Sequence, residues 1–518
     1  MSSIFDLKTN VEELDSANQG TSRMSYDQHP PTRDVTTNNF PNGAIHFRFQ
    51  TAGQKWWVPG RSYIRMRVNL TKANGTLLEL ADNVAPNMGL CASLFQSAEF
   101  RINDKVVSRI GDFMPQIDSL ETRLSKSKSW VDSVGASSNC WQVKYLDRQS
   151  AVASDATKGD NVNSTYLNAD GLGLAVGTTI AIAADTGVAT LSNPVNNTIQ
   201  IGDVIVIDDT EYLVSNNALS GTTMQVSNAK TLAVVATADW YVKRPVNDAR
   251  KAGHFELIWT PPLSIFKLQH ALPSGKYELV LNPQTSSAYQ RYAIESLKDK
   301  TPGTDYKFEV EDMYFYCNSV EGPRADDITY LLDLEQTNCQ SDKIDSASFA
   351  QKNFDVSPST YALSVAYQDL RAGNNTAVSS SKFRSYNAAL TAPQELALER
   401  FFINYAGQNM PAPDADPHFN TNDDRTTQRY METMLYNGAM FDTGGAETIE
   451  EFHERGSYYY FAIPRDGTDR STRVAIHSGF RNLTDTANMR VLLFAHSKQV
   501  ARVRVADGRV VDVQLEDA

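Results

Sequence analysis

The clearest hydrophobic pattern in the chain lies in residues 54–69, QKWWVPGRSYIRMRVN. Two adjacent tryptophans are followed by a Val-Pro-Gly turn, and apolar and polar residues then alternate one by one. A period of two is typical of a strand with one buried face and one wet face. The predicted buried face carries Ile64, Met66 and Val68, and the wet face carries Tyr63, Arg65 and Arg67. No reactive group stands in this stretch, so the pattern indicates a scaffold.

The same alternation predicts further strands throughout the first half of the chain. Asn103-Asp104 is the expected turn of a hairpin between two of them. In the last strand the pattern slips, so that Tyr314 and Tyr316 are expected on the face that begins with Phe308. The predicted strands lie at 44–53, 90–103, 141–145, 254–259, 276–283 and 305–320.

Helical spacing occurs only in the connections between strands. Residues 112–134 carry apolar side chains at intervals of three and four, with Pro115 near the start, which predicts a helix. A short helix is expected after Pro261-Pro262, because these prolines end the preceding strand. Further helices are predicted at 325–336, in a linker that begins at Gly322-Pro323, and at 393–405 and 429–436.

The composition changes abruptly between residues 150 and 246. No lysine or arginine occurs between Lys158 and Lys230, and the stretch is rich in Ala, Thr, Val, Gly and Asn. Short apolar runs are separated by Asp-Asp, Asn-Asn and Ser-Gly turns, which predicts several short strands. Because surface loops tolerate insertions, residues 150–246 are predicted to form a small β-barrel inserted in a loop of the first domain.

The second half of the chain loosely repeats the strand pattern of the first. Its predicted strands lie at 345–356, 360–370, 457–464, 473–480 and 488–505. Asp507-Gly508 between alternating valines predicts a C-terminal hairpin. Strands at regular spacing with turn signals indicate β-sandwiches or barrels, and eight-stranded jelly rolls suit the size of each half.

The predicted organisation is all-β, with two consecutive jelly-roll β-sandwich barrels. Residues 1–40 form a polar, acidic N-terminal tail that is flexible or ordered by a partner. Residues 41–322 form the first jelly roll, which has helices in its connecting loops and contains the small β domain at 150–246. Residues 323–518 form the second jelly roll.

Charge and cysteine content exclude several classes of protein. The net charge of −13 disfavours wrapping by nucleic acid, and no sequence-specific binding of nucleic acid is expected. Neither a signal peptide nor a long apolar segment that would span a membrane is predicted. The four cysteines form no C-x-x-C pair and are expected to be reduced and mostly buried: Cys91, Cys140, Cys317 and Cys339.

Two stretches have residue types that could carry catalysis or bind phosphate. Ser274-Gly275-Lys276 resembles the end of a phosphate-binding loop, but the upstream glycine is missing and Tyr277 replaces the Ser or Thr. A turn before a strand is therefore favoured. An acid/base pair could come from a charge run that more often marks a wet surface, namely Glu450, Glu451, His453 and Glu454.

Residues 414–424, DADPHFNTNDD, could crowd oxygen atoms around Ca²⁺. Phe419 stands where an EF-hand loop needs glycine, and Arg425 stands where its bidentate glutamate belongs. A solvated loop is therefore favoured, and an ion that bridges subunits stays open.

Histidines and paired arginines have structural explanations that are favoured over binding. The strand histidines are expected to be satisfied structural residues: His46, His254, His477 and His496. Arg65 and Arg67 share a strand face, as do Arg502 and Arg504, so that each pair could touch phosphate. Salt bridges across strands or between subunits are favoured in so acidic a chain. No catalytic, cofactor-binding or metal-binding residue is assigned, and no cofactor is expected.

Three stretches carry a resemblance to a known family, namely Trp56-Trp57-Val58-Pro59 with Ser62-Tyr63-Ile64-Arg65, Trp259-Thr260-Pro261-Pro262-Leu263-Ser264-Ile265-Phe266, and the valine-rich C-terminal hairpin. Together with two consecutive β-sandwiches, they resemble the double jelly-roll major capsid proteins of icosahedral DNA viruses. The chain looks most like the Polinton-like virus and virophage branch and, more distantly, adenovirus hexon. The resemblance covers residues 40–518 and rests on the order of the strands and on their residue pattern. The insert at 150–246 departs from the minimal pattern.

The resemblance implies a structural major capsid protein that is not an enzyme. It implies a homotrimer of pseudo-hexagonal outline that contacts neighbouring capsomers, penton proteins and minor capsid proteins in the icosahedral shell of a virion. Such a protein is assembled inside the host cell. The insert would be an outward tower, and an internal membrane and a host receptor bound by the insert are left open as partners.

A second class stays open, namely a carbohydrate-binding or glycan-degrading viral spike or β-sandwich protein. β-Sandwiches bind sugars through exposed tryptophans beside carboxylates. This alternative requires Trp56, Trp57 or Trp240 to be exposed.

Overall fold

The structure is a computed structural model that describes much of the chain. The described residues are 24–36, 39–51, 54–77, 84–86, 88–141, 144–145, 166–167, 174–175, 177–184, 186–193, 199, 204–207, 210–217, 222–226, 233–243, 245–246, 253–268, 270–285, 293–296, 306–322, 324–345, 350–369, 397–410, 425–436, 445–446, 458–463, 472–481 and 489–517.

Strands dominate these residues, and helices lie only in the connections. In chain order the strands are β1 (Met24–His29), β2 (Ile45–Gln50), β3 (Lys55–Trp57), β4 (Tyr63–Lys72), β5 (Val84–Pro86), β6 (Phe95–Ile102), β7 (Lys105–Ile110), β8 (Lys144–Tyr145), β9 (Tyr166–Leu167), β10 (Ile180–Ile182), β11 (Val188–Leu191), β12 (Val204–Ile207), β13 (Thr210–Asn217), β14 (Thr223–Val226), β15 (Val234–Thr237), β16 (Tyr241–Lys243), β17 (Pro245–Val246), β18 (Gly253–Trp259), β19 (Lys276–Pro283), β20 (Ile294–Ser296), β21 (Tyr306–Glu321), β22 (Thr329–Lys343), β23 (Ala350–Asp355), β24 (Thr360–Asp369), β25 (Ala397–Tyr405), β26 (Gln408–Met410), β27 (Tyr458–Ala462), β28 (Arg473–Arg481), β29 (Met489–Ala506) and β30 (Arg509–Asp517). The helices are α1 (Leu90–Ser93), α2 (Met114–Ser125), α3 (Lys128–Trp130), α4 (Ala136–Asn139) and α5 (Arg425–Tyr436), with a π-helical turn at Val131–Gly135 and 3₁₀ turns at Pro59–Arg61 and Ser264–Lys267.

Two β-sandwiches follow one another along the chain. The first pairs a five-stranded sheet of order β1-β21-β4-β18, with β3 beside β21, and a four-stranded sheet of order β2-β19-β6-β7. The second pairs a five-stranded sheet of order β22-β29-β24-β27, with β30 beside β29, and a four-stranded sheet of order β23-β28-β25-β26. When the eight main strands of each sandwich are counted along the chain, both sandwiches show the orders 1-8-3-6 and 2-7-4-5. This repeated order is that of a jelly roll.

The stretch with few basic residues contains strands that pair among themselves. Strands β9 to β16 form one sheet of order β15-β10-β11-β14-β13-β12-β16-β9. This sheet has its own core, in which the Trp240 indole donates to the Thr178 carbonyl over 2.8 Å. At its base, β8 pairs with β17. Among the described strands, the two edge strands β15 and β9 do not pair with each other. The described part of the sheet is therefore open and does not close into a barrel.

The tryptophan pair predicted to lie at a turn forms the centre of the first core. Trp57 is fully buried and stacks on Phe100 with 4.9 Å between ring centroids. Its indole N–H donates to Ser62 Oγ over 2.9 Å, and Ser62 Oγ donates to the Val58 carbonyl over 2.9 Å. The turn predicted at Val-Pro-Gly is present as the 3₁₀ turn at Pro59–Arg61, and β4 follows it directly.

The alternation predicted for β4 and the two predicted hairpins are confirmed. Ile64, Met66 and Val68 are fully buried. Asn103 and Asp104 have φ of 48° and 65°, and Asp507 and Gly508 have φ of 54° and 71°. Positive φ at both central residues is the geometry of the tight hairpin turn that matches strand twist.

The slip predicted in the last strand of the first sandwich is present, but its consequence was predicted wrongly. The register of β21 against β4 shifts between Val310 and Asp312, which marks a β-bulge. After the bulge, Met313 and Phe315 are buried, whereas Tyr314 and Tyr316 are only partly buried on the opposite face. A single extra residue reverses the face of every following side chain.

Two predicted helices are strands. Residues 325–336 lie largely in β22, and residues 393–405 end in β25. In β22, Tyr330, Leu332 and Leu334 are buried while the residues between them are exposed. Pairing with β29 over the full length of β22 overrides the helical preference of its Leu and Glu residues.

Two further boundaries differ from the predictions. The strand expected at 90–103 begins with the short helix α1, and only β6 is extended. Part of the predicted tail is ordered, because β1 pairs antiparallel with β21 from Met24 to His29. The helices predicted within 112–134, after Pro261-Pro262 and at 429–436 are present as α2 with α3, the 3₁₀ turn at Ser264–Lys267, and α5.

The corner after Trp57 predicts a stability difference between two glycines. A Cβ at Gly60 would lie 2.6 Å from the Leu268 carbonyl oxygen, whereas one at Gly111 meets nothing within 4 Å. Gly60→Ala should lower the free energy of unfolding by about 1–3 kcal/mol, because backbone must move to relieve the overlap. Denaturant unfolding measures this change, with Gly111→Ala as the matched control. Equal stability of the two variants would contradict the close approach.

Candidate functional site between the two sandwiches

Within the five-stranded sheet of the second sandwich, β24 and the facing part of β29 are buried on both faces. Leu363 and Val365 in β24 point into the core of the second sandwich. Ala366, Leu492 and Phe494 belong instead to the hydrophobic core that contains the first sandwich. The first sandwich therefore covers the outer face of this sheet, and the two sandwiches meet in a continuous apolar junction.

Polar contacts frame this junction on the side of α2. The Lys267 ammonium lies 2.6 Å from Glu121 Oε1, and both residues belong to the first sandwich. Across the junction, the Gln336 side-chain amide donates to the Arg109 carbonyl over 2.7 Å. These contacts place α2, β7 and the 3₁₀ turn at Ser264–Lys267 beside β22.

A chain of buried polar side chains crosses the junction. Ser364 Oγ lies 2.8 Å from His496 Nε2, and His496 Nδ1 lies 3.1 Å from Thr337 Oγ1. Thr337 Oγ1 donates to Glu121 Oε1 over 2.7 Å. Because the threonine proton is used on Glu121, Nδ1 of His496 must be the donor to Thr337. Nε2 then accepts from Ser364, which gives a neutral imidazole with both nitrogens satisfied.

Burial fixes the charge state of this histidine. The side chain of His496 is almost fully buried, and Lys267 adds a like charge nearby. Burial and, to a lesser degree, Lys267 lower the pKa of His496 to about 3. Both effects disfavour the imidazolium, so the ring stays neutral in the folded protein near neutral pH.

The pair of Ser364 and His496 resembles the first two members of a hydrolytic triad, but its surroundings do not fit catalysis. Ser364 is fully buried, so no substrate can reach its hydroxyl. The ring contacts a threonine hydroxyl where a triad places a carboxylate. The arrangement joins three strands and a helix and has the character of a structural network.

A second buried group at the junction is Arg123 of α2. The residue is fully buried, and its guanidinium carbon lies 4.6 Å from the centre of the Tyr458 ring in β27. Earlier in α2, Asp118 accepts the Trp259 indole N–H over 3.0 Å. These contacts orient α2 between the two sandwiches.

The C-terminal hairpin connects the sandwiches at another point. The Asn103 side-chain amide donates to the Val510 carbonyl over 2.6 Å, and the Lys105 ammonium lies 2.6 Å from Asp512. The Val510 N–H donates to the Ser274 carbonyl over 2.8 Å. The hairpin turn of the first sandwich is thus held against the last strand of the chain.

The residues considered for phosphate binding have structural partners. Ser274 forms an isolated bridge with Arg509 directly before β19, which begins at Lys276. Arg65 hydrogen-bonds Glu256, Arg67 lies 3.2 Å from Glu311, and Arg502 lies 2.9 Å from Glu516. The Arg65 hydrogen bond lowers the pKa of the Glu256 carboxyl. The predicted salt bridges across strands are therefore confirmed for these three arginines.

The strand histidines also contact neighbours within the chain. His46 Nδ1 lies 3.1 Å from Glu278, His254 Nδ1 lies 2.8 Å from Glu311, and the His477 ring stacks on Phe402 at 4.3 Å. The prediction of structural histidines is confirmed most fully by His496.

The four cysteines form no disulfide, as predicted, and three of them are buried. Burial raises the pKa of the Cys317 and Cys339 thiols. A thiol with a raised pKa is a poor nucleophile. The Cys317 and Cys339 thiols are therefore poor nucleophiles.

Two of the sequence candidates lie outside the described residues, namely the loop at 414–424 and the charge run Glu450, Glu451, His453 and Glu454. Within the part of the chain that the structure describes, no group of three or more His, Cys, Asp or Glu could hold a metal ion. None of the described helices is long and apolar enough to cross a membrane.

The tryptophans required by the carbohydrate hypothesis are not exposed. Trp56, Trp57 and Trp240 have exposed fractions of 5%, 0% and 3%. A ring at these exposures cannot stack on a sugar. The structure therefore removes the aromatic platforms on which that alternative depended.

Comparisons with known proteins identify the fold. No protein-family model and no curated protein matches the chain. A search of solved structures finds the cryo-EM structure of the Sputnik virophage, with a TM-score of 0.51 and 10% identity, over 99% of this chain and 91% of that one. Also similar are the crystal structure of the mavirus major capsid protein, with a TM-score of 0.46, 11% identity and coverage of 99% and 96%, and the PBCV-1 virus capsid, with a TM-score of 0.42, 11% identity and coverage of 99% of both chains.

The chain has the double jelly-roll fold. The strand order 1-8-3-6 and 2-7-4-5, found twice, carries this assignment together with the similarity to the Sputnik virophage. The all-β class and the two consecutive jelly rolls predicted from the sequence are thereby confirmed.

The polar network between the jelly rolls was missed by the sequence analysis. Ser364 and Thr337 lie 132 and 159 residues from His496 along the chain, and Glu121 lies farther still. No local motif therefore links these residues. A weak signal exists in the strand pattern, because His496 follows Leu492 and Phe494 on one strand face. A histidine in phase with apolar residues indicates a buried site.

The lowered pKa of His496 predicts a loss of stability in acid. The unfolded chain binds a proton near pH 6.5, while folded His496 stays neutral until about pH 3. Stability from this group is therefore full above pH 6.5 and is lost as pH falls through that window, by about 1.4 kcal/mol per pH unit. His496→Gln should remove about 2 kcal/mol of the difference in unfolding free energy between pH 7.5 and 5.0.

Denaturant unfolding of both proteins at the two pH values measures this effect. The matched control is Gln499→Asn in the same strand, β29, because neither side chain of this substitution titrates. The control should keep the pH dependence of the unsubstituted protein. Identical pH dependence in the His496 variant and the unsubstituted protein would show that this ring does not titrate as its burial requires.

Proposed function

We propose that the chain is a structural major capsid protein that forms homotrimeric capsomers in an icosahedral virus shell. The observation that carries the proposal is the repeat of one jelly-roll topology in two halves joined by a buried junction. The similarity of fold along 99% of the chain to a chain of a virus particle supports it. The protein would reside in the capsid shell of a virion assembled inside the host cell.

The repeated topology suits a capsomer of six similar lobes. Three copies of a two-lobed chain supply six jelly rolls, and a ring of them approximates a hexagon. Homo-oligomers with closed symmetry are the common solution for such large subunits, and obligate interfaces bury extensive surface. Neighbouring capsomers, penton proteins and minor capsid proteins are the partners that this role requires.

A structural role also fits the chemistry of the described residues. The closest approach to a catalytic pair, Ser364 with His496, is sealed inside the molecule. Three of the four arginines that could hold phosphate, Arg65, Arg67 and Arg502, are paired with carboxylates. We therefore propose no enzymatic activity, no cofactor and no sequence-specific nucleic acid for this chain.

A carbohydrate-binding role is the weaker alternative. It lacks exposed rings at Trp56, Trp57 and Trp240. Binding of a host receptor by the insert at 150–246, as an outward tower, is compatible with the capsid role, as is contact with an internal membrane elsewhere on the shell.

The mass of the purified chain tests the proposed assembly. Light scattering on the isolated protein should give a stable species of three chains, because a two-lobed capsid subunit closes a six-lobed ring. Negative-stain images of the same species should show a pseudo-hexagonal outline, and concentration should yield shells. A monomer at high concentration would contradict the proposal.

The inserted β domain gives a second test. Its core contains Ile180, Val214 and Trp240 and is separate from the cores of the jelly rolls. Replacement of residues 155–243 by a short Gly-Ser linker should leave the thermal unfolding of the double jelly roll and the mass of the trimer unchanged. Strands β8 and β17 flank the deletion and are retained.

Loss of trimers after this deletion, with the jelly rolls still folded, would place the insert in the assembly interface. Loss of folding altogether would show that the insert is part of the first jelly roll. Circular dichroism and light scattering on the same sample separate the two outcomes.

A further inference from the structure

The two jelly rolls share one topology but differ in what covers their five-stranded sheets. In the second roll the outer face of this sheet is buried by the first roll, with Ala366, Leu492 and Phe494 fully or almost fully buried. In the first roll the equivalent outer face is open: Met24, Tyr26 and Ile258 have exposed fractions of 42%, 53% and 43%. Among the described residues of a single chain, one half of this repeated packing arrangement is therefore unfilled.

The open face has the composition of an interface. The Tyr63 and Tyr316 rings stack with 5.1 Å between centroids, and Tyr26 lies 5.7 Å from Tyr63. Tyrosine, methionine and arginine are the residues enriched in protein interfaces. We name the set Met24, Tyr26, Tyr63, Ile258 and Tyr316 the tyrosine face.

The covered sheet shows what the tyrosine face lacks. Within one chain, β7 lies beside β22. β7 is the fifth main strand of the first roll, and β22 is the first strand of the second roll. The Gln336 amide in β22 donates to the Arg109 carbonyl in β7 across this contact. Helix α2, which follows β7 in the chain, covers the sheet beyond it.

The second roll has the corresponding elements at its own free edge. Strand β26 is its fifth strand and the edge of its four-stranded sheet, and helix α5 follows β26 in the chain. Gln408 in β26 is exposed, and Leu435 in α5 is 44% exposed. The turns before β7 and β26 also match, because Asn103, Asp104, Ala406 and Gly407 all have positive φ.

We infer that the tyrosine face of one chain is covered by β26 and α5 of a second copy of this chain. The contact repeats between chains the packing that β7 and α2 make on the second roll within a chain. It rests on the proposed capsid function and specifies which surfaces of that assembly meet.

This contact is head-to-tail, since two different surfaces of the chain meet. A head-to-tail contact closes into a ring when its rotation permits. Contacts inside chains and between chains then alternate around the ring, so that six similar junctions join six jelly rolls in three chains.

Two doubly substituted chains test the inference. Tyr26→Arg with Ile258→Arg places charges on the tyrosine face, and Gln408→Arg with Leu435→Arg places them on β26 and α5. All four positions are at the surface of the single chain, so each variant should fold with the circular dichroism spectrum and thermal unfolding of the unsubstituted protein. Each variant alone should sediment as a monomer.

A mixture of the two variants distinguishes a head-to-tail contact from a symmetric one. Each variant keeps the surface that the other has lost, so a single intact contact can form between them. Sedimentation of the mixture should show a species of two chains that neither variant forms alone. The matched control, Val235→Arg in the insert, changes a residue that is 82% exposed and should remain a trimer.

Four outcomes decide the inference. Trimers of either double variant, or a mixture that stays monomeric at concentrations where the unsubstituted chain is fully trimeric, would overturn it and leave the capsid function standing. Nitration of Tyr63 and Tyr316 in the unsubstituted trimer as fast as in the monomeric variant would also overturn it. A monomeric unsubstituted chain would instead overturn the proposed function, on which the inference rests.

Discussion

The burial of one sheet on both faces is the constraint on which the rest of the molecule depends. A sheet with a wet outer face can place any polar residue there, but the five-stranded sheet of the second jelly roll has no wet face along β24 and the facing part of β29. Polar groups on its outer face must find partners inside the protein, since an unsatisfied buried group costs free energy. Ser364, His496 and Thr337 meet this requirement in series, and Glu121 ends the series on the first roll. The register of three strands and the position of α2 are therefore fixed together.

The fold was predictable from the sequence where each sheet has one wet face or a turn with special backbone geometry. β4 and the hairpin at Asp507-Gly508 are examples, because alternation and positive φ are properties of a few neighbouring residues. β22 and β25 were assigned as helices for a physical reason. The helix prediction at 393–405 depends on the spacing of apolar residues at 396, 401, 402 and 405, and in β22 exposed Leu331 interrupts the alternation. Both segments are strands because they pair with strands that are distant in the sequence. The spacing of apolar residues within one segment carries no information on such pairing.

The candidate site was less predictable than the fold. That His496 is a satisfied structural residue follows from its place in a strand, but its partners come from two other strands and a helix. Buried Arg123 is similar, since a charged residue on an amphipathic helix is expected in water, whereas here its guanidinium packs on the Tyr458 ring across the junction. Side chains that join two halves of a chain are selected by three-dimensional proximity, and their sequence spacing is arbitrary.

The two equivalent sheets also show how one topology accommodates two different surroundings. A face that is covered as the chain folds must be apolar or fully hydrogen-bonded from the start, and the outer face of the second roll is both. A face that stays open in the single chain must remain hydrated until a partner arrives. On the first roll, the charges of this face are paired within the chain, Arg65 with Glu256 and Arg67 with Glu311. Removal of one partner from a buried pair is costly because it leaves an isolated charge, whereas an intact pair enters an interface without that penalty. Charges that are paired within the chain, beside stacked tyrosines, therefore suit a surface that is hydrated in the single chain and buried after assembly.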